Sequence, residues 1–310
     1  MKFTEGYWEK SERANASHAM QVFTVEKIPH GMRMVSPFHM ITDRAGALVV
    51  GTITTEFTAI RKDVISVRSW HFEGYEKKEP RFDLNRDMQD VDVQINEKEA
   101  VMTAGRMQVC IDREHFLITY KADGKVLTTC GYRNLGYMQY DKKYQTKFPL
   151  ENYMAADFTP YMATELSLDP GECVYGLGER FSAFVKNGQV VDCWNEDGGT
   201  ASQISYKNIP FYMTNKNYGV LVDHTDNVSF EVASEKVEYV GFSVKGEEIR
   251  YEVICGDTMK DVIRTYTDLT GKPALPPKWS FGLWLTTSFK TNYDEETTSS
   301  FINGMAERDL

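Results

Sequence analysis

The chain has 310 residues with 35 basic against 45 acidic side chains, a formal net charge of −10. That balance argues against nucleic acid and against an anionic membrane surface as partners, because both attract positive proteins. A hydrophobic share of 42% with 13% aromatics belongs to a folded chain, and the length allows two domains or one large β architecture.

The first residues, Met1 through Glu9, lack the apolar core of a signal peptide, and no apolar run approaches the ~18 residues of a membrane span. From about residue 20 to 255 the apolar pattern has period two. Val91–Ile95, Val228–Val232 and Tyr251–Val253 alternate as half-buried strands do. Leu117–Lys121 and Val126–Thr129 flank Asp123-Gly124, the pair a tight primed hairpin turn requires. Many short strands with almost no helical period predict an antiparallel β-sandwich over residues 1–257.

The pattern changes after Gly256. Thr258 with Asp261 forms an approximate capping box, Met259, Val262, Ile263, Tyr266 and Leu269 share a helical face, and Gly271 ends the helix. Pro273 to Pro277 is rigid, and Trp279–Leu285 reads as a strand buried on both faces. Asp294 with Glu295 and Glu296 begins a further helix whose core face holds Phe301, Ile302 and Met305. A buried parallel-type strand needs neighbours on both edges, and none follow Leu310. Residues 258–310 are therefore expected to be a linker helix plus the first strand and helix of a truncated βα barrel.

Several motifs fail on inspection. Gly176-Leu177-Gly178-Glu179-Arg180-Phe181 starts like a dinucleotide fingerprint, but Phe181 stands where the third glycine belongs. The five cysteines are odd in number and widely spaced, with no Cys-x-x-Cys pair, so buried reduced thiols are expected. His18, His30, His39, His71, His115 and His224 show no metal spacing and are read as surface or satisfied polar residues. Neither metal nor cofactor is expected, and the compartment is read as cytoplasmic.

Four stretches in order carry a resemblance: Tyr175–Phe181, Trp194–Thr200, Asn208–Thr214 and Pro273–Glu295. Together they resemble the N-terminal part of glycoside hydrolase family 31, and Leu285–Phe289 with Thr291–Asp294 resembles its bacterial α-xylosidase branch. The likeness is good over roughly residues 165–310 and general before that. It implies a galactose-mutarotase-like sandwich followed by a (β/α)8 barrel. It also implies a retaining α-glycosidase whose two catalytic carboxyl groups lie beyond Leu310, so that these residues alone hydrolyse nothing.

The resemblance also assigns substrate contacts. Asp197, before Gly198-Gly199, would accept hydrogen bonds from sugar hydroxyls in the −1 subsite; the alternative is an aspartate closing its own turn. Phe289 would fill the space of a hexose hydroxymethyl group, or be a core aromatic. Trp194 and Trp284 could each stack on a sugar, with a core role favoured for Trp284. Glu179-Arg180 is read as a structural ion pair.

The expected partner is an α-xylosyl or α-glucosyl oligosaccharide, and the protein is expected to form a homo-oligomer. The alternatives are an α-glucosidase fragment, an aldose-epimerase-like enzyme, and a stand-alone carbohydrate-binding or oligomerisation module. Epimerisation needs a Glu and a His meeting across a sheet, and the scattered histidines give no sign of one.

Overall fold

A computed structural model of the chain describes residues 3–5, 9–74, 81–140, 158–196, 198, 202–282, 284 and 290–309. Met1–Gly271 forms one compact unit and Lys272–Leu310 a second.

The first unit is built on two large antiparallel sheets. The eight-stranded sheet runs, in spatial order, Val174–Gly176, Phe211–Thr214, Tyr218–Val222, Glu248–Cys255, Val64–Trp70, Thr52–Arg61, Gly31–Pro37 and Thr24–Ile28. The six-stranded sheet runs Gln189–Cys193, Val228–Val232, Tyr239–Lys245, Thr159–Ser167, Leu135–Tyr140 and Ala14–His18. Their facing residues form one apolar core that includes Met32, Phe57, Val253, Met162, Phe230 and Phe242. A five-stranded meander, Asp92–Ile95 to Lys125–Cys130, adds Val109, Ile111 and Tyr120 to that core. The buried Tyr120 hydroxyl meets that of Tyr251 at 2.9 Å, which ties the meander to the eight-stranded sheet. The predicted hairpin is present: Ala122 pairs with Lys125 across Asp123 (φ 48°) and Gly124 (φ 76°). The mainly β, antiparallel sandwich expected from the sequence is thus that of the first unit.

Alternation is incomplete in both sheets. Tyr251, Glu252 and Val253 are all buried, as is Ser229 in Val228–Val232, so these strands are not half-buried as expected. Ser229 belongs to the six-stranded sheet, where it pairs with Ser243; for Tyr251–Val253 the reason lies in a second layer on the outer face of the eight-stranded sheet. Helix α1, Met259–Thr270, buries Val262 and Leu269 there against Ile60, Val64, Phe211 and Ile254. Each such aliphatic side chain contributes about 1.5–3 kcal/mol on burial. The segment 81–89 lies over the same region. Its Asn85 and Asp87 amides donate to Leu269 and Ile60 carbonyls, and Leu84 enters the cluster.

The predicted capping box of α1 is present, with Asp261 N donating to Thr258 Oγ1 and the Asp261 carboxylate accepting from Thr258 N. Because α1 packs on the sheet, the first compact unit extends to Gly271, whereas sequence periodicity alone suggests a division at residue 257.

In the second unit, α2 (Glu295–Ala306) begins at Asp294, whose carboxylate accepts from Thr297 N at 2.8 Å. Phe301 and Ile302 are exposed, so the core face expected of this helix is not covered within the unit. Lys278–Phe281 is a 3-10 turn rather than the start of a buried strand, and Trp279 and Phe281 are exposed. A strand requires a neighbour to accept its backbone hydrogen bonds, and none stands beside this segment among the described residues.

Candidate functional site

Three of the four family-like stretches converge on one loop cluster at an edge of the sandwich. The first supplies a bend. Gly176, Leu177 and Gly178 all have positive φ (113°, 66° and 88°). A Cβ on Gly176 would stand 2.6 Å from the Phe211 carbonyl oxygen, and one on Gly178 would stand 2.2 Å from that of Lys207. Only glycine permits that approach. Leu177, fully buried, anchors the bend, and its amide donates to Phe211 O at 2.9 Å. No helix follows, so the Gly-x-Gly pattern serves chain packing and not a phosphate.

Arg180 is the hub of the cluster. Its guanidinium donates to the carbonyls of Leu177 (3.0 Å), Gln203 (3.0 Å) and Asp192 (2.9 Å), and to Asn208 Oδ1. Asn208 in turn donates through Nδ2 to Trp194 O (2.8 Å), Asn195 Oδ1 (2.8 Å) and Ser205 O (2.9 Å). Asn195 and Ser205 also form a parallel bridge. The expected Glu179–Arg180 ion pair is not made: Glu179 points to Lys207 at 3.2 Å, and Arg180 is consumed by carbonyls. Charge-assisted donors of this kind are worth about 1.5–3 kcal/mol each where they are shielded from water. The loop between Cys193 and Asn208 is therefore held at both ends by two side chains.

The neighbouring turn is held by a buried ammonium. Lys186 Nζ donates to Ser182 Oγ (3.0 Å) and Ala183 O (2.8 Å). Burial, aided by the charge of Arg180, lowers its pKa. Beneath the loop, burial pushes the Cys193 thiol up to about 11, so it stays protonated and unreactive at neutral pH. All five cysteines are free thiols.

Of the residues expected to touch substrate, Asp197 and Phe289 lie outside the described residues. Trp194 sits in the pinned loop with its side chain 47% exposed, available as a stacking face. Trp284 belongs to the second unit. It is 70% exposed rather than core, with Nε1 donating to Ser280 O at 2.8 Å and its ring tilted on Trp279 at 5.8 Å. Sequence reasoning missed Arg180 and Asn208 as the residues that shape the loop. Asn208 opens a quoted stretch and Arg180 lies within another, but nothing in their spacing says that they meet. Among the described residues no group of three His, Cys, Asp or Glu side chains could hold a metal ion.

Comparisons with known proteins bear on the family and the fold. Residues 54–231, more than half of the chain, match the glycosyl hydrolase 31 N-terminal galactose mutarotase-like domain. All of the chain aligns with alpha-xylosidase XylQ of Lactiplantibacillus pentosus at 40% identity, covering 39% of that protein. All of it also aligns with an alpha-xylosidase of Emericella nidulans at 39% identity, covering 40% of that relative. The chain thus spans about two fifths of the length of the curated relatives it matches. Among solved structures, the cycloalternan-forming enzyme of Listeria monocytogenes in complex with a pentasaccharide substrate shares the fold. It does so with a TM-score of 0.72 and 19% identity, over 96% of this chain and 26% of that one. The chain belongs to glycoside hydrolase family 31, and its sandwich is the family's N-terminal galactose mutarotase-like domain.

Proposed function

We propose that this chain is the front part of a retaining α-xylosidase that releases α-linked xylose from oligosaccharides in the cytoplasm. The observation that carries this reading is the alignment of the whole chain, at 40% identity, with 39% of a protein named as an alpha-xylosidase. A cytoplasmic setting agrees with five cysteines that are all free. In the complete enzyme, a barrel supplies the nucleophile and the acid/base, ~5–5.5 Å apart as retention requires. The sandwich contributes the loop that Arg180 and Asn208 hold. Asp197 in that loop accepts hydrogen bonds from the hydroxyls of the sugar whose bond is cut, Trp194 offers a stacking face beside it, and Phe289 narrows the space a hexose hydroxymethyl group needs. Trp284 is a further candidate for stacking on the substrate. The enzyme works as a homo-oligomer.

Two experiments test the reading. The 310-residue chain, assayed on an aryl α-xyloside, shows no turnover above a blank; measurable hydrolysis would place the carboxyl pair inside these residues. In the complete enzyme, Asp197→Ala lowers kcat/KM by about tenfold or more, the loss expected when a transition-state contact worth over ~1.4 kcal/mol disappears. An unchanged kcat/KM would remove Asp197 from the site.

A further inference from the structure

Residues 81–89 cross the outer face of the eight-stranded sheet without a helix or strand of their own. Three backbone amides tie them down: Asn85 donates to Leu269 O (2.7 Å), Asp87 to Ile60 O (2.7 Å) and Gln89 to Ala59 O (2.9 Å). Asn85 also accepts from Arg61 Nη1 at 3.1 Å and donates through Nδ2 to Asp268 O at 3.2 Å. Leu84 is the only buried side chain of the segment. The remaining fastenings are ionic. Arg81 donates to Asp223 O at 2.8 Å and to Glu248 Oε1 at 2.6 Å, and Arg86 stands 3.7 Å from the Asp223 carboxylate. A segment with a single apolar anchor belongs to the low-stability end of a fold, where opening occurs without global unfolding.

The sheet beneath carries acids that water does not reach. Register puts Glu252 between Ser66 and Leu221, and Leu221 shares its apolar cluster with Leu84 of the segment. Glu252 and Asp223 are both fully buried. One oxygen of Glu252 accepts from Ser66 Oγ at 3.2 Å, and the other has no hydrogen-bond partner. An ionised carboxylate so placed loses its hydration without compensating hydrogen bonds, which favours the neutral acid. Burial, and then Asp223, accordingly push its pKa up to about 8. The other charged or titratable groups around it come from every neighbouring element. Glu248 and Arg250 lie on its own strand, and Arg68, itself met by Glu56, Glu73 and Glu248, lies on the next. Asp223 and His224 follow Tyr218–Val222, and Arg81 and Arg86 belong to the segment above. Helix α1 brings Val262, Leu269 and Tyr266, whose ring stacks on Phe211 at 4.2 Å.

We propose that residues 81–89 are a strap whose opening releases a proton from the Glu252 carboxyl group, so that it stays shut near neutrality and loosens under alkaline conditions. Opening lets water reach Glu252, which then ionises near its ordinary 4.5. The shut state keeps the proton until about 8, so the ratio of open to shut rises with pH across that window. Asp223, raised by burial against the pull of Arg250, Arg81 and Arg86, acts in the same direction. His224 acts in the other. Burial, with the charge of Arg81, lowers it in the shut state, so opening takes up a proton below its ordinary 6.5. Burial works to raise Glu248, but Arg68, Arg81 and Arg250 outweigh it, so its share falls in acid, below its ordinary 4.5. The arginines stay charged throughout. Opening also frees the Leu269 carbonyl near the end of α1. This inference goes beyond the proposed xylosidase reading and does not depend on it.

Hydrogen exchange on the 310-residue chain, read by mass spectrometry on peptides covering the strap, tests it. Each rate is divided by that of an unstructured chain at the same pH. Protection of the strap is expected to fall about tenfold between about pH 6.5 and about pH 8.5. Low urea should leave that exchange nearly unchanged, because local opening exposes little surface. Glu252→Gln has no proton to release, and its strap is expected to lose less than about twofold over the same range. Glu252→Met serves if the glutamine variant fails to fold. Protection that is constant with pH in the parent, or an equal fall in the folded variants, would overturn the proposal. So would strap exchange no faster than that of the core strand Met107–Asp112, since only global unfolding would then remain.

Discussion

The two outer faces of the sandwich each carry a pair of acidic side chains, and the pairs behave differently. On the six-stranded sheet, Glu165 and Glu231 stand on either side of Gly241 and Glu165 is matched by Lys236. On the eight-stranded sheet, Glu252 and Asp223 lie under a second layer and are fully buried. Ser66 Oγ donates to one oxygen of Glu252 at 3.2 Å, and the other oxygen has no hydrogen-bond partner. Asp223 has Arg86 at 3.7 Å, while Arg81 spends its donors on Asp223 O and Glu248. Burial first, and the neighbouring Asp223 second, push the Glu252 carboxyl up to about 8. Burial likewise raises Asp223, against the pull of Arg250, Arg81 and Arg86. Beside them, burial works to raise Glu248, yet Arg68, Arg81 and Arg250 outweigh it and hold that carboxyl low. Cover and counter-charge, not residue type, decide which carboxylate is ionised.

Removing the cover should have the largest effect. Leu269→Ala opens a void between α1 and the sheet and is expected to lower stability by about 2–5 kcal/mol in denaturant unfolding. A loss under ~1 kcal/mol would mean that α1 is not part of the first unit's cooperative fold.

The next effect is on pH dependence. In the unfolded chain Glu252 releases its proton near 4.5, but in the fold it keeps it until about 8. Between those values the folded state binds the extra proton, so raising the pH across that window weakens the fold. Glu252→Gln removes this dependence. The variant is expected to melt several degrees above the parent at pH 8, with the gap narrowing towards pH 5. A gap that is constant with pH would show that Glu252 does not hold a raised pKa.

The smallest effect belongs to the open face. Gly241→Ala adds a methyl group at ordinary contact distance, and its stability change is expected within about ±0.5 kcal/mol. A larger loss would show that this face is packed shut in solution.

The Asp123-Gly124 hairpin, the Thr258 capping box and the Asp294 helix start were all legible, because each depends on residues within four positions of one another. The candidate loop was legible as three family-like stretches but not as an object, since the hydrogen bonds of Arg180 reach Asp192, Gln203 and Asn208. Trp279–Phe281 lies in a 3-10 turn with exposed rings where a buried strand was expected, and Leu283 and Leu285 lie outside the described residues. Apolar character announces a need for cover, and the cover itself is supplied from elsewhere in the chain. His224 was expected to be a satisfied or surface histidine. It is buried with Nε2 unpartnered, and burial followed by the charge of Arg81 lowers its pKa.

Amino-acid order alone determined the turns, the helix ends and the period-two strands of this protein, since φ preference and capping act over one or two turns of chain. Only the tertiary structure decided that Gly136, Ala163, Gly241 and Ser243 share one face of the six-stranded sheet, that Arg180 closes a loop, and that Glu252 keeps its proton. Register, desolvation and charge pairing depend on which distant strands become neighbours. That choice is made by burying the shared core, not by any one segment.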